Sequence, residues 1–192
     1  MNKFLPIKNK KIGIIGFGSS GKSAAKLALK LGAKVFITDT NIKNEFSMKS
    51  VEAEFGKHSD KILKSDIIIK SPGIPRNINI LKKIKKLSIP VVSEIEFASW
   101  FTKLDIISLT GTNGKTTTVN LINEILNKNN ISTYLGGNVG IPFSENVLKE
   151  IKNKKNKNFH LLELSSFQLE DIIYFKPKIS IILNLKPDHM NR

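Results

Sequence analysis

Asp105-Ile106-Ile107-Ser108-Leu109-Thr110-Gly111-Thr112-Asn113-Gly114-Lys115-Thr116 decides how this chain reads. An apolar run ends in a glycine-rich turn, and a helical pattern follows from Thr117 to Leu126. Between a strand and a helix, such a turn aims consecutive backbone N–H groups and the positive end of the helix at one anion. Lys115 adds a mobile positive charge, and the Thr116 hydroxyl is placed for Mg2+. Gly111, Thr112, Asn113, Gly114, Lys115, Thr116 and Thr117 are therefore the candidate residues for holding a nucleoside triphosphate. The usual spacing of such a loop would want glycine at 109, where this chain has Leu109. The form present is the shortened Thr-Gly-Thr-x-Gly-Lys-Thr.

Working outward, the segment before this loop alternates short apolar runs with helical patterns. Strands are expected at Lys11–Ile15, Lys34–Thr38, Ile67–Ile69 and Pro90–Val92, with helices at Ser20–Leu31 and Asn79–Leu87. After the loop, strands are expected at Ile131–Tyr134, Phe159–Leu164 and Ile179–Leu183, with a helix near Phe143–Ile151. Strand–helix alternation of this kind argues for parallel sheets covered on both faces. The fold class expected is α/β: a Rossmann-like domain over residues 1–102, then a P-loop, doubly wound domain beginning at 103. About 90 residues is short for the latter, so residues 103–192 are expected to be only its first part.

Gly16-Phe17-Gly18-Ser19-Ser20-Gly21 fits the dinucleotide fingerprint, and Asp39 ends the next strand near the expected offset. The pattern places a diphosphate on the N-terminus of the following helix, with Ser19 and Ser20 as free hydroxyls beside it; by itself it leaves NAD open. Ser71-Pro72-Gly73-Ile74-Pro75 follows a strand, either as a rigid turn or as a ligand-binding strand end. In Leu162-Glu163-Leu164 a carboxylate stands inside an apolar strand. Burial there is costly unless the charge is paired, and beside a phosphate loop the natural partner is Mg2+. His189, after a further strand, is a candidate metal ligand by convergence of strand ends on one phosphate site.

The formal net charge of +15 over 192 residues invites a nucleic-acid reading. The cations are nearly all lysine, with Arg76 and Arg192 as arginines, and the densest run, Lys149–Lys157, has no aromatic for base stacking. A solvated helix end explains it better, and no nucleic-acid partner is expected. No apolar run approaches the ~20 residues needed to span a bilayer, and Met1–Pro6 shows no leader. Cysteine is absent, which fits a reducing cytoplasm.

Taken together the motifs resemble the Mur ligases, ATP-dependent enzymes that add amino acids to the peptidoglycan precursor. Thr110–Thr116 is similar to that family's ATP loop. Glu163-Leu164-Ser165-Ser166-Phe167-Gln168-Leu169-Glu170, Gly136-Gly137-Asn138-Val139-Gly140 and Asn184–Arg192 resemble its D-glutamate-adding branch, and Ser71–Ile74 and Ser93-Glu94-Ile95-Glu96 agree. The resemblance implies a first domain that binds UDP rather than NAD. Ser19 and Ser20 would meet the pyrophosphate, Asp39 and Thr40 the uridine end, and Ser71, Pro72, Gly73 and Asn138 the rest of UDP-N-acetylmuramoyl-L-alanine. Lys115 would hold the β/γ-phosphates of ATP, Thr116 one Mg2+, and Glu163 with His189 a second, these being the implied catalytic groups. The reaction implied passes through an acyl phosphate that D-glutamate then attacks. A C-terminal amino-acid-binding domain and a carbamylated lysine would lie outside this chain, which is expected to be inactive alone, cytoplasmic and monomeric. Asn191 stands where the family pattern usually has Asp. Two other readings stay open on the residues alone: an NAD-dependent oxidoreductase, and a non-catalytic nucleotide-binding module.

Overall fold

The computed structural model describes residues 2, 4–42, 48, 51–152 and 158–187. β1 (Lys11–Ile15), α1 (Ser19–Lys30), β2 (Lys34–Asp39), β3 (Glu52–Phe55), β4 (Ile67–Lys70), α2 (Asn79–Lys86), β5 (Val91–Ser93) and α3 (Glu94–Ser99) form the N-terminal half. β6 (Asp105–Thr110), α4 (Lys115–Lys128), β7 (Thr133–Gly137), α5 (Phe143–Lys152), β8 (Phe159–Glu163), α6 (Ser166–Leu169) and β9 (Ile179–Ile182) follow.

Each half is built on a parallel sheet, as the strand–helix alternation requires. The first has five strands in the order β3-β2-β1-β4-β5, the second four in the order β7-β8-β6-β9. In each, the strand preceding a glycine turn, β1 or β6, lies between neighbours reached by opposite crossovers. Such a switch point opens a crevice at the carboxyl ends of the strands, where ligands of this architecture bind.

The halves share one apolar core. Ile12, Ile14, Leu27, Ile95 and Phe97 of the first and Phe143, Val147 and Leu162 of the second belong to a single buried cluster. Ala24, Ala25 and Ala28 are fully buried on α1, and their small side chains allow close helix packing. A fully buried Phe97 contributes roughly 1.5–3 kcal/mol of transfer free energy. A second cluster sits on the other face of the first sheet, where Ile80 and Ile84 of α2 cover Ile15, Ile62 and Ile68.

Among the described residues, four elements are not among those expected from the sequence: β3, a 3-10 turn at Asp60–Lys64, α3 and the four-residue α6. β3 is an edge strand of sequence Glu-Ala-Glu-Phe without an apolar run, held through its ladder with β2. α3 is six residues long and begins with two buried glutamates, so no amphipathic stripe marks it. Covering on both faces describes the first sheet better than the second. β9 is an edge with Ile179 49% and Ile182 64% exposed, and α4 buries only Val119.

Candidate functional site

The two glycine turns enter their helices through different backbone conformations, extended at Gly18 and left-handed at Gly114, yet share one feature. α1 starts after Gly18 and α4 after Gly114, with no side-chain cap and no acidic residue in either first turn. The chain does use serine caps elsewhere, Ser93 on α3 and Ser165 on α6. At the glycine turns the first N–H groups are thus left to an anion, which the helix dipole favours. The third glycine of the first turn is fixed by space: a Cβ on Gly21 would lie 2.0 Å from the Gly16 carbonyl oxygen.

The second turn is held from outside itself. Asn184, just past β9, accepts from the Asn113 N–H at 3.0 Å and donates its amide to the Asn113 carbonyl at 3.0 Å. Thr112 is clasped likewise, its hydroxyl donating to the Lys186 carbonyl and accepting from the Lys186 N–H. Lys115 Nζ donates to the carbonyls of Gly111 and Thr112 at 2.7 and 2.9 Å. Its ammonium is therefore held over the loop.

Glu163 ends β8 and is 1% exposed. Its Oε2 accepts from the Thr116 hydroxyl at 2.8 Å and its Oε1 from the Asn138 amide at 2.9 Å. Asn138 is brought there by backbone: its N–H donates to the Glu163 carbonyl at 2.7 Å. The approach is so close that a Cβ on Gly137 would lie 2.2 Å from that carbonyl oxygen, and Gly137 has φ +104. Only glycine fits both demands. The Glu163 carboxyl is thus buried, as its place in an apolar strand led one to expect, and both of its oxygens meet hydrogen-bond donors.

A cleft of about 500 Å3 runs between the halves, lined on one side by Pro72 and Gly73. Gly111, Thr112, Lys115 and Asn138 line it, with Ser166 and Phe167 of the α6 turn. Ser71 stands behind its wall, donating its hydroxyl to the Gly16 carbonyl at 3.0 Å and so joining the two strand-end loops of the first sheet. Ser19, Ser20, Asp39 and Thr40 are not among the cleft's lining residues; they lie at the carboxyl ends of β1 and β2. Asp39 is occupied with backbone, accepting from Phe17 N–H at 2.6 Å and Asn41 N–H at 2.8 Å, whereas Thr40 is exposed. Thr117 is exposed on α4, away from the cleft lining. His189 lies outside the described residues. Among the described residues, no three His, Cys, Asp or Glu side chains group to hold a metal. Asn184 and Lys186 act as loop clasps that no local motif marks; the available signal is position, at the carboxyl end of a strand beside β6.

A profile for the Mur ligase MurD-like N-terminal domain matches residues 10–93, and one for the Mur ligase middle domain matches residues 109–192. The chain belongs to the Mur ligases. It is 40% identical to a UDP-N-acetylmuramoylalanine--D-glutamate ligase of Chloroherpeton thalassium, covering 97% of this chain and 41% of that protein. It is 44% identical to the protein of the same name from Elusimicrobium minutum, over 100% of this chain and 44% of that one. This Mur ligase chain thus spans about two fifths of the length of the curated relatives it matches. Its fold is also that of the UDP-N-acetylmuramate:L-alanyl-gamma-D-glutamyl-meso-diaminopimelate ligase from Neisseria meningitides, with TM-score 0.59 at 19% identity, over 94% of this chain and 62% of that one. No helix among the described residues is long and apolar enough to cross a membrane.

Proposed function

We propose that this chain supplies the UDP-sugar and ATP sites of a ligase that adds D-glutamate to UDP-N-acetylmuramoyl-L-alanine in peptidoglycan biosynthesis. The observation that supports this is the cleft, lined by Pro72 and Gly73 of the first half and by Gly111, Thr112, Lys115 and Asn138 of the second, Asn138 being hydrogen-bonded to Glu163. Residues 1–102 would take the UDP end and residues 103–192 the ATP. Ser19 and Ser20, with the N–H groups of α1, would meet the pyrophosphate. Thr40 and Asp39 would meet the uridine end, Asp39 also tying the loop after β1 at Phe17 to the chain after β2 at Asn41. Pro72, Gly73 and Asn138 would guide the muramoyl-alanine arm to the triphosphate.

The chemical demand is to bring a carboxylate against a triphosphate, two anions that repel. Lys115 and the N–H groups of the Gly111–Thr116 turn answer it by spreading the negative charge of the γ-phosphoryl group as it passes to the alanine carboxylate. The acyl phosphate formed is then open to the amine of D-glutamate, giving an amide, ADP and phosphate. Thr116 and Glu163 fit a hard, oxygen-seeking cation: a hydroxyl and a buried carboxylate 2.8 Å apart. Mg2+ held by them would neutralise phosphate charge.

In a protein of the relatives' length that contains this chain, phosphate release should require UDP-N-acetylmuramoyl-L-alanine and D-glutamate together. Release indifferent to D-glutamate would contradict the reading. In the 192-residue chain, Lys115→Ala should weaken Mg-ATP binding at least tenfold by calorimetry and leave UDP binding unchanged.

A further inference from the structure

Glu96 is fully buried on α3 in the N-terminal half, yet most of its hydrogen bonds come from the C-terminal half. Its Oε2 accepts from the N–H groups of Ile173 at 2.8 Å and Phe175 at 2.7 Å. Its Oε1 accepts from the N–H of Tyr174 at 2.8 Å and the indole of Trp100 at 2.7 Å. Three successive backbone N–H groups curled round one oxyanion make an anion nest. Here the anion is a side chain of the other half.

The nest closes a segment that begins in the cleft. Ser166 and Phe167 line the cleft, and Ser165 and Gln168 form a reciprocal cap on α6. Midway, Glu170 and Asp171 meet Arg76 at 2.9 and 3.3 Å, Asp171 meets the buried Lys70 at 3.1 Å, and the Ser93 N–H donates to the Asp171 carbonyl. Lys70 and Arg76 flank the Ser71–Pro75 turn, whose Pro72 and Gly73 line the opposite side of the cleft. The two walls are therefore tied to each other, and Glu96 holds the far end of the tie.

We propose that Glu96 is a positioning residue for the cleft: by seating residues 173–175 it fixes the Ser165–Gln168 wall against the Pro72–Gly73 wall. It touches no cleft ligand. Its effect falls on whatever must reach across both walls, and not on a ligand seated on the first sheet alone. Among the molecules of the functional reading, UDP-N-acetylmuramoyl-L-alanine crosses and UDP does not; this arm of the proposal rests on that reading.

Glu96→Gln keeps the shape but turns one acceptor into a donor facing N–H groups. In the 192-residue chain, hydrogen exchange of the Glu96→Gln variant should speed up at Ile173–Phe175 and also at Ser165–Gln168, while the Gly16–Gly21 turn is unchanged. By calorimetry the Kd for UDP-N-acetylmuramoyl-L-alanine should rise tenfold or more with the Kd for UDP unaltered. A purely structural role would lower both affinities in parallel. Faster exchange confined to residues 173–175, or parallel loss of both affinities, overturns the proposal. If the wild-type chain binds the UDP-sugar no better than UDP, the functional reading fails and the exchange pattern alone decides the role of Glu96. Should Glu96→Gln not fold, Glu96→Asp, which retracts the charge by one methylene, is put through the same two measurements with the same criteria.

Discussion

Glu163, Thr116 and Asn138 form a short chain of hydrogen bonds in which one carboxylate answers two donors. Glu163→Gln keeps the volume and removes the charge. The expected outcome is loss of the Mg2+ dependence of ATP binding, read by calorimetry with and without Mg2+, while binding of metal-free nucleotide persists. Retained Mg2+ dependence would place the cation elsewhere. Gly137→Ala should destabilise the chain by about 2 kcal/mol or more, from a positive φ and a collision with backbone, as a lower urea midpoint. The placement of the Gly111–Thr116 turn between strand and helix and the burial of Glu163 were legible in the sequence because a carboxylate inside an apolar strand, and glycine before Lys-Thr, are local patterns. The clasp by Asn184, the filled carboxylate of Asp39 and the nest around Glu96 were not. Each joins residues tens of positions apart, and no local period records such a contact.

At the level of elements, the strands that carry apolar runs were readable, and their parallel pairing followed from strand–helix alternation, whereas their order in each sheet came from the structure. β3 and α3 were not readable, since an edge strand packed on one side and a single-turn helix each need little apolar sequence. β9 raises a different issue. It pairs with β6 on one side only, and Ile179 and Ile182 leave much of their surface in water. An apolar strand edge of this kind templates pairing with another chain. The 192-residue chain should therefore associate with rising concentration, and Ile182→Lys should suppress that in sedimentation velocity. Equal association of both forms would locate the contact away from β9.

For the molecule as a whole, the shared core and the α3–α5 contact make the two halves one unit. Glu94 sits in that contact, 2% exposed, with Oε1 accepting from the Ser144 N–H and Oε2 without a hydrogen-bond partner among the described residues. Burial pushes its carboxyl up from 4.5 to about 7, against the lowering effect of the Ser144 hydrogen bond. Between those values the folded chain holds a proton that the unfolded chain has lost. Its stability contribution therefore falls as pH rises through that window, by about 3 kcal/mol in total, and levels off above it. Glu94→Gln should flatten this part of the stability–pH curve in urea titrations; an unchanged slope would assign it to other groups. A second network ties the halves near Thr102, where Glu150 accepts from the Thr102 hydroxyl and the Lys103 N–H and pairs with buried His160. Burial raises the Glu150 carboxyl, but these hydrogen bonds outweigh it and hold it below the usual range. Glu150 therefore adds stability above that range and loses it in acid, opposite in sign to Glu94.

In the proposed function the first glycine turn seats a UDP-sugar whose far end meets the Lys115 loop. Calorimetric titration of the 192-residue chain with UDP-N-acetylmuramoyl-L-alanine and, separately, with NADH tests it most directly. The expected result is saturable binding of the UDP-sugar and none of NADH; binding of NADH without binding of the UDP-sugar would contradict that function.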